Sequence, residues 1–262
     1  MKTIGNLAIM KALFLRELLF LSILFSAFSL GAQSRTDSLA AFPLVRFQYS
    51  YLLPAGDYES TFGNTNLVGG AIAFKTKTNW QFELEANYMF GANVKRKTLL
   101  SGIVNAAGDA TDVDGELVRV LLDIRGYTFF ASAGRIFPIS KTNPNSGILI
   151  QGGIGYLQHR IKVDFRDGEV FQLSDDMLKG YDRLHTGVAF KQFIGYQYFG
   201  KKNLINFFAG FEFNQGLTYN RRGYNYDTQS FDEDQKFDFL YGFRVGWSMP
   251  IRGRASEEFY YY

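Results

Sequence analysis

Residues 237–249 read FDFLYGFRVGWSM, and they alternate. Phe237, Phe239, Tyr241, Phe243, Val245, Trp247 and Met249 fall on one parity, while Asp238, Leu240, Gly242, Arg244, Gly246 and Ser248 fall on the other. A period of two with aromatics on one side and charge and glycine on the other is a β-strand between an oily face and a wet or tightly packed one. Composition alone conceals this. A hydrophobic content of 47% is ordinary for a soluble domain, but 27 Phe and 16 Tyr sit in alternating runs separated by polar turns. That arrangement is how membrane strands escape hydropathy windows.

Seven further stretches carry the same signature: 44–53, 67–75, 80–90, 118–137, 147–161, 184–198 and 204–218. In the third, Phe82, Leu84, Ala86, Tyr88 and Phe90 alternate with Gln81, Glu83, Glu85 and Asn87. Carboxylates facing lipid are costly, so this strand fixes its own orientation. In the fourth, the apolar parity is even through Val118, Val120, Leu122 and Ile124, then odd through Tyr127, Phe129, Ala131 and Ala133. A switch at Arg125 and Gly126 predicts a β-bulge there. The links after the second, fourth and sixth stretches (76–79, 138–146, 199–203) are short, and the others (54–66, 91–117, 162–183, 219–236) are longer. The pattern predicts an all-β fold: an eight-stranded antiparallel up-and-down transmembrane β-barrel over residues 33–251, in the outer membrane, with both termini periplasmic. A soluble lipocalin-like barrel would instead bury its aromatics and expose its charges.

The flanks extend this reading. Lys11 and Arg16 precede an apolar run, Leu18 to Leu30, and the small residues Gly31 and Ala32. Residues 1–32 therefore read as a signal peptide, with Met10 as a more ordinary start than Met1. Residues 252–262 form a short periplasmic tail ending in three tyrosines, suited to an aromatic interface or to docking. The chain has no cysteine, which fits an exported protein and excludes a lipid-anchored one, and a net charge of +3 makes no case for nucleic acid.

By parity the lumen receives Arg46, Arg119, Arg125, Lys191 and Arg244 together with Glu83, Glu85, Asp123, Glu212 and Asp238. Eight strands enclose a lumen about wide enough for side chains, so these charges predict a paired plug. His159 and His185 flank one long loop on the inward parity. They suggest a polar closure of the barrel mouth, a metal pair, or, with Asp182 and a serine, a hydrolytic site for surface lipids. Asp109, Asp112, Asp114, Gly115 and Glu116 partly match a calcium loop without its full spacing, so turn roles compete. Lys95, Arg96 and Lys97, and likewise Arg221 and Arg222, are candidate contacts for lipopolysaccharide or phosphate. No cofactor is expected.

Within the last strand, Gly242, Arg244, Val245, Gly246, Trp247 and Met249 resemble the C-terminal signal by which outer-membrane barrels reach their assembly machinery. The runs FQYSYLLPAGDYESTFG, GRIFPISKTNPNSGILIQGGIGYLQHRIKV, GYDRLHTGVAFKQFIGYQYF and NLINFFAGFEFNQGLTYNRRGYNYDT resemble the small outer-membrane β-barrel proteins of Bacteroidetes. These are porin-like barrels in the class of the OmpA transmembrane domain. The resemblance implies contact with outer-membrane lipid and lipopolysaccharide, with the barrel-assembly machinery, and with envelope complexes such as the type IX secretion apparatus. No catalytic motif of barrel-type lipid A enzymes carries over. The expected function is a structural or accessory envelope barrel with a charge-plugged lumen. A narrow porin-like channel is the alternative, and a surface-lipid hydrolase the third reading.

Overall fold

The computed structural model describes residues 39–96, 98–165, 170–200 and 205–251. The expected leader and tail lie outside them, as does Lys97. Eight long strands dominate: β1 (Phe42–Gly56), β2 (Thr65–Lys75), β3 (Trp80–Gly91), β4 (Leu117–Pro138), β5 (Gly147–Phe165), β6 (His185–Phe199), β7 (Asn206–Asn220) and β8 (Lys236–Pro250). Each pairs antiparallel with the next in sequence. β8 returns to β1, from Leu44 opposite Pro250 to Gly56 opposite Asp238. The ring therefore has no free edge. It is a closed eight-stranded up-and-down barrel. The turn between β2 and β3 is tight because Asn79 takes a left-handed conformation (φ 63°), which asparagine tolerates.

Side chains sort by parity. Outward stand Phe47, Ile72, Leu84, Phe129, Ile154, Phe211 and Phe243, all exposed. Tyr51, Tyr88, Tyr127 and Tyr241 lie toward the long-loop end of this belt, and Trp80 and Trp247 toward the short-turn end. Inward lie three layers. At the short-turn end, Phe42, Leu44, Ile136, Leu149, Phe193, Phe199 and Phe208 form an apolar floor. The middle is polar and charged. Above it, Leu52, Tyr58, Phe62, Leu99, Leu100, Ile124, Leu157, Ile161 and Leu173 form a second apolar cluster, to which the long loops contribute.

β4 contains no bulge. Its register runs unbroken from Trp80 opposite Arg135 to Gly91 opposite Ile124, and from Val120 opposite Phe165 to Pro138 opposite Gly147. The even residues point inward along its whole length. What switches at Arg125 is the environment. Below it, the outward side chains Tyr127, Phe129, Ala131 and Ala133 belong to the apolar belt. Beyond it, β4 and β5 continue as a hairpin extension whose inward residues Val118, Ile124, Ile161 and Val163 pack against loop residues, while Arg119, Asp123, Arg160 and Lys162 face out. The hairpin has the ordinary polarity of a water-facing sheet, inverted relative to the belt.

Candidate functional site

The middle layer is a network of three cations and three carboxylates from five strands. Arg46 on β1 pairs with Glu83 on β3, and its second nitrogen donates to Gln197 Oε1 at 3.0 Å. Arg244 on β8 reaches Glu85 at 2.7 Å, Glu83 at 3.1 Å and, through its other nitrogen, Glu212 on β7 at 3.1 Å, and it also donates to Gln48. Lys191 on β6 pairs with Glu85 and stands 3.8 Å from Glu212. All six side chains are buried, with formal charges that cancel. Uncharged groups complete the carboxylate shells: Gln81 and Gln151 donate to Glu83, Asn87 to Glu85 and Asn214 to Glu212. The Arg46 guanidinium lies 3.7 Å from the centre of the Phe208 ring, a cation–π contact that joins the network to the floor. Phe208 in turn occupies the space above Gly246, where a Cβ would lie 2.3 Å from the ring. Buried charges persist only when paired and hydrogen-bonded, and this layer meets both conditions.

A second constellation lies at the long-loop end, beside a cavity of about 350 Å³ lined in part by Tyr58, Phe62, His159, His185, Asp232 and Asp238. His159 and His185 are direct cross-strand partners with rings 5.4 Å apart and nearly parallel. His159 Nε2 meets Asp238 Oδ2 at 2.8 Å, and the Thr218 hydroxyl donates to the same oxygen. His185 Nδ1 lies 2.8 Å from the Arg183 carbonyl, which only accepts, so this nitrogen carries the proton. The rings of Tyr58 and Phe62 meet His159 edge-on at 4.9 and 5.2 Å. Burial pushes the Tyr58 phenol above its usual range. Burial also opposes ionisation of Asp232, yet hydrogen bonds from Lys236 and Asn225 outweigh it and hold this carboxyl below the usual carboxylate range. Loop salt links tie the mouth together, with Arg183 bonded to Asp227 and Arg96 3.5 Å from the same carboxylate.

Several sequence expectations are corrected by this geometry. Arg119, Asp123 and Arg125 do not enter the lumen. They lie on the outward parity of β4, where Arg119 pairs with Asp109 at 3.2 Å and Arg125 with Asp123 at 2.7 Å. Val120, Leu122 and Ile124 between them point inward because the hairpin extension buries its own core. Asp238 faces inward but serves His159 and lies apart from the central network. Asp182 does not join the histidines; it receives two hydrogen bonds from Arg222, at 3.0 and 2.6 Å. Among the described residues no hydroxyl hydrogen-bonds to either imidazole, and no group of three His, Asp or Glu side chains is arranged to hold a metal. The acidic loop is a turn: Asp112 Oδ1 accepts the Asp114 and Glu116 amides at 2.9 and 2.8 Å, and Gly115 has φ 84°. Lys95 pairs with Glu59 at 3.2 Å. Arg221 donates to Thr186.

No protein-family model matches the sequence, and no curated protein matches it. Among solved structures the chain is similar to Neisserial surface protein A, with 13% identity and a TM-score of 0.43 over 80% of this chain and 98% of that one. It is also similar to the N-terminal β-barrel domain of Pseudomonas aeruginosa OprF, at 12% identity and TM-score 0.35 over 80% of this chain and all of that one. A third likeness is to Ail, the attachment invasion locus protein of Yersinia pestis, at 8% identity and TM-score 0.38 over 80% and 97% of the two chains. The functional reading of this chain rests on its own geometry.

That geometry includes groups the sequence did not single out. Gln48, Gln151 and Gln197 are ordinary polar residues on inward parities, and only closure of the ring shows that they fill the gaps between the charges. The partnership of Asp238 with His159 spans 79 residues and has no local signature. Replacing Asp238 by alanine leaves two buried groups, on His159 and Thr218, without their partner. The expected cost is about 1–3 kcal/mol for each orphaned group, measured as a lowered urea midpoint of the folded barrel.

Proposed function

We propose that this chain is an integral outer-membrane barrel with a closed lumen, a structural or accessory component that presents its long-loop end to the surroundings. The observation that carries the reading is inverted amphipathicity. The outward surface is a belt of exposed Phe, Leu, Ile and Val between tyrosines and tryptophans, while Arg46, Glu83, Glu85, Lys191, Glu212 and Arg244 are buried inside. In water this arrangement wastes the apolar surface and desolvates the charges, whereas in lipid both faces are matched. The short-turn end is then periplasmic and the long loops face outward. On the same reading the alternating end of β8, with Val245, Trp247 and Met249 outward, is what the assembly machinery engages.

A closed lumen distinguishes this function from a channel. The charge layer lies between an apolar floor and the His159 layer, so an ion meets paired side chains rather than a water column. In planar bilayers the purified protein is expected to give no resolved conductance steps, while the charge-neutral pair of changes Glu83→Ala and Arg244→Ala opens small ones. Steps from the parent protein favour the channel reading. Before that, the folded protein must require detergent and migrate differently on gels before and after boiling; a chain that is soluble alone and shows no such shift is not a membrane barrel.

A further inference from the structure

On the outside of the barrel, immediately beyond the tyrosine belt, β4 and β5 set two arginines directly opposite one another. Arg125 partners Arg160 in the ladder, two residues past the pairing of Tyr127 with Gln158. Both side chains point outward, and like charges directly opposed across antiparallel strands repel. Arg125 is compensated by Asp123 at 2.7 Å. Arg160 is not compensated to the same degree: Asp182 is 4.0 Å away and already holds Arg222. Next to Arg160 a cavity of about 310 Å³ opens between the β5 extension and the segment carrying Leu178, Lys179 and Asp182. Arg160, Lys162 and Arg222 line it, together with Asp182. Lys162 also reaches Asp164 at 2.7 Å, so Arg160, 4.0 Å from a carboxylate that Arg222 already holds, is the lining cation open to a further anion.

We propose that this groove binds the phosphate ester of a lipid headgroup in the leaflet nearest the long loops. The inference rests on the membrane reading above, because it is the aromatic belt that fixes the height of the groove. Tyr88 and Tyr127, with rings 5.4 Å apart, mark the level where aromatic side chains meet headgroups. Arg160 stands one outward position above that level and Lys162 one further. A phosphate between them and Arg222 converts cross-strand repulsion into charge-assisted hydrogen bonds. Its acyl chains would lie against the outward side chains Tyr127, Phe129 and Tyr156 directly below. That apolar surface is what singles out a lipid, rather than a free anion, as the occupant.

Native mass spectrometry of the protein extracted from membranes in mild detergent tests this, with doubly phosphorylated lipid A and neutral phosphatidylcholine as probes. Lipid A adducts are expected in preference to phosphatidylcholine, to weaken about tenfold in the variant Arg160→Gln/Lys162→Gln, and to be unchanged in Lys77→Gln in the turn at the opposite end. Equal adducts in parent and double variant overturn the assignment, as does displacement of lipid A by excess inorganic phosphate, which identifies a free-anion site. A heat-modifiable barrel without the preference defeats this inference alone, whereas loss of heat modifiability and detergent dependence defeats the membrane reading beneath it.

Discussion

Replacing Arg244 by methionine is expected to destabilise the barrel by about 3–5 kcal/mol, the range for removing one partner of a buried ion pair. Arg244 is the hub of the middle layer: it contacts Glu83, Glu85 and Glu212, whereas Arg46 pairs with Glu83 alone and Lys191 with Glu85 and Glu212. Without it, three buried carboxylates face two cations, and Gln48 loses its donor as well. Methionine approximates the volume and retains apolar contact with Phe193 and Phe208, whose rings lie 5.6 and 5.3 Å from the guanidinium. The loss is therefore chiefly electrostatic. Adding Glu85→Gln restores charge balance and should recover about half of the deficit, a coupling that a simple packing defect would not give. Arg119→Met supplies the contrast, since this side chain is largely exposed and should move stability by no more than about 0.5 kcal/mol. Urea midpoints in detergent, read by the gel shift, decide the matter; an Arg244→Met midpoint equal to that of Arg119→Met would refute a stabilising role for the network.

The contrast between these two arginines also shows what can be read from the chain and what cannot. The eight strands were legible because period-two alternation is local and strong, and the strand carrying Glu83 and Glu85 oriented itself. Alternation also placed Arg46, Lys191, Glu212 and Arg244 on inward parities. It misplaced Arg119, Asp123 and Arg125 because parity gives a face only relative to an assumed environment. Where β4 passes beyond the belt, apolar side chains belong inside, so the same pattern takes the opposite meaning. The loop contribution to the second apolar cluster was illegible for another reason. Tyr58, Phe62, Leu99 and Leu100 come from loop segments without periodicity, and their burial depends on how those segments fold over the mouth. The division of the inward charges into a central network and a separate Asp238–His159 pair depends on stagger between strands, which no single strand encodes.

If the parity change on β4 marks the edge of the membrane, the same substitution must have opposite consequences on its two sides. Leu84 lies in the middle of the belt on β3, opposite Ile72 on β2 and Ala131 on β4, and is exposed. A lysine there faces hydrocarbon, and Leu84→Lys should cost about 2–4 kcal/mol, the range for a basic residue near the bilayer midplane. Leu121 is also an exposed, outward-facing leucine of the sheet, but it lies four residues beyond Arg125, opposite Asp164. Leu121→Lys places a cation in water facing a carboxylate, so stability should change by no more than about 0.5 kcal/mol and in the favourable direction if at all. Side-chain type and strand geometry are the same at the two sites, so the difference isolates the solvent. Folding titrations in lipid vesicles provide the measurement. Equal penalties at both positions would mean that the boundary at Arg125 is not where lipid ends, and equal tolerance would mean that the belt is not covered by lipid at all.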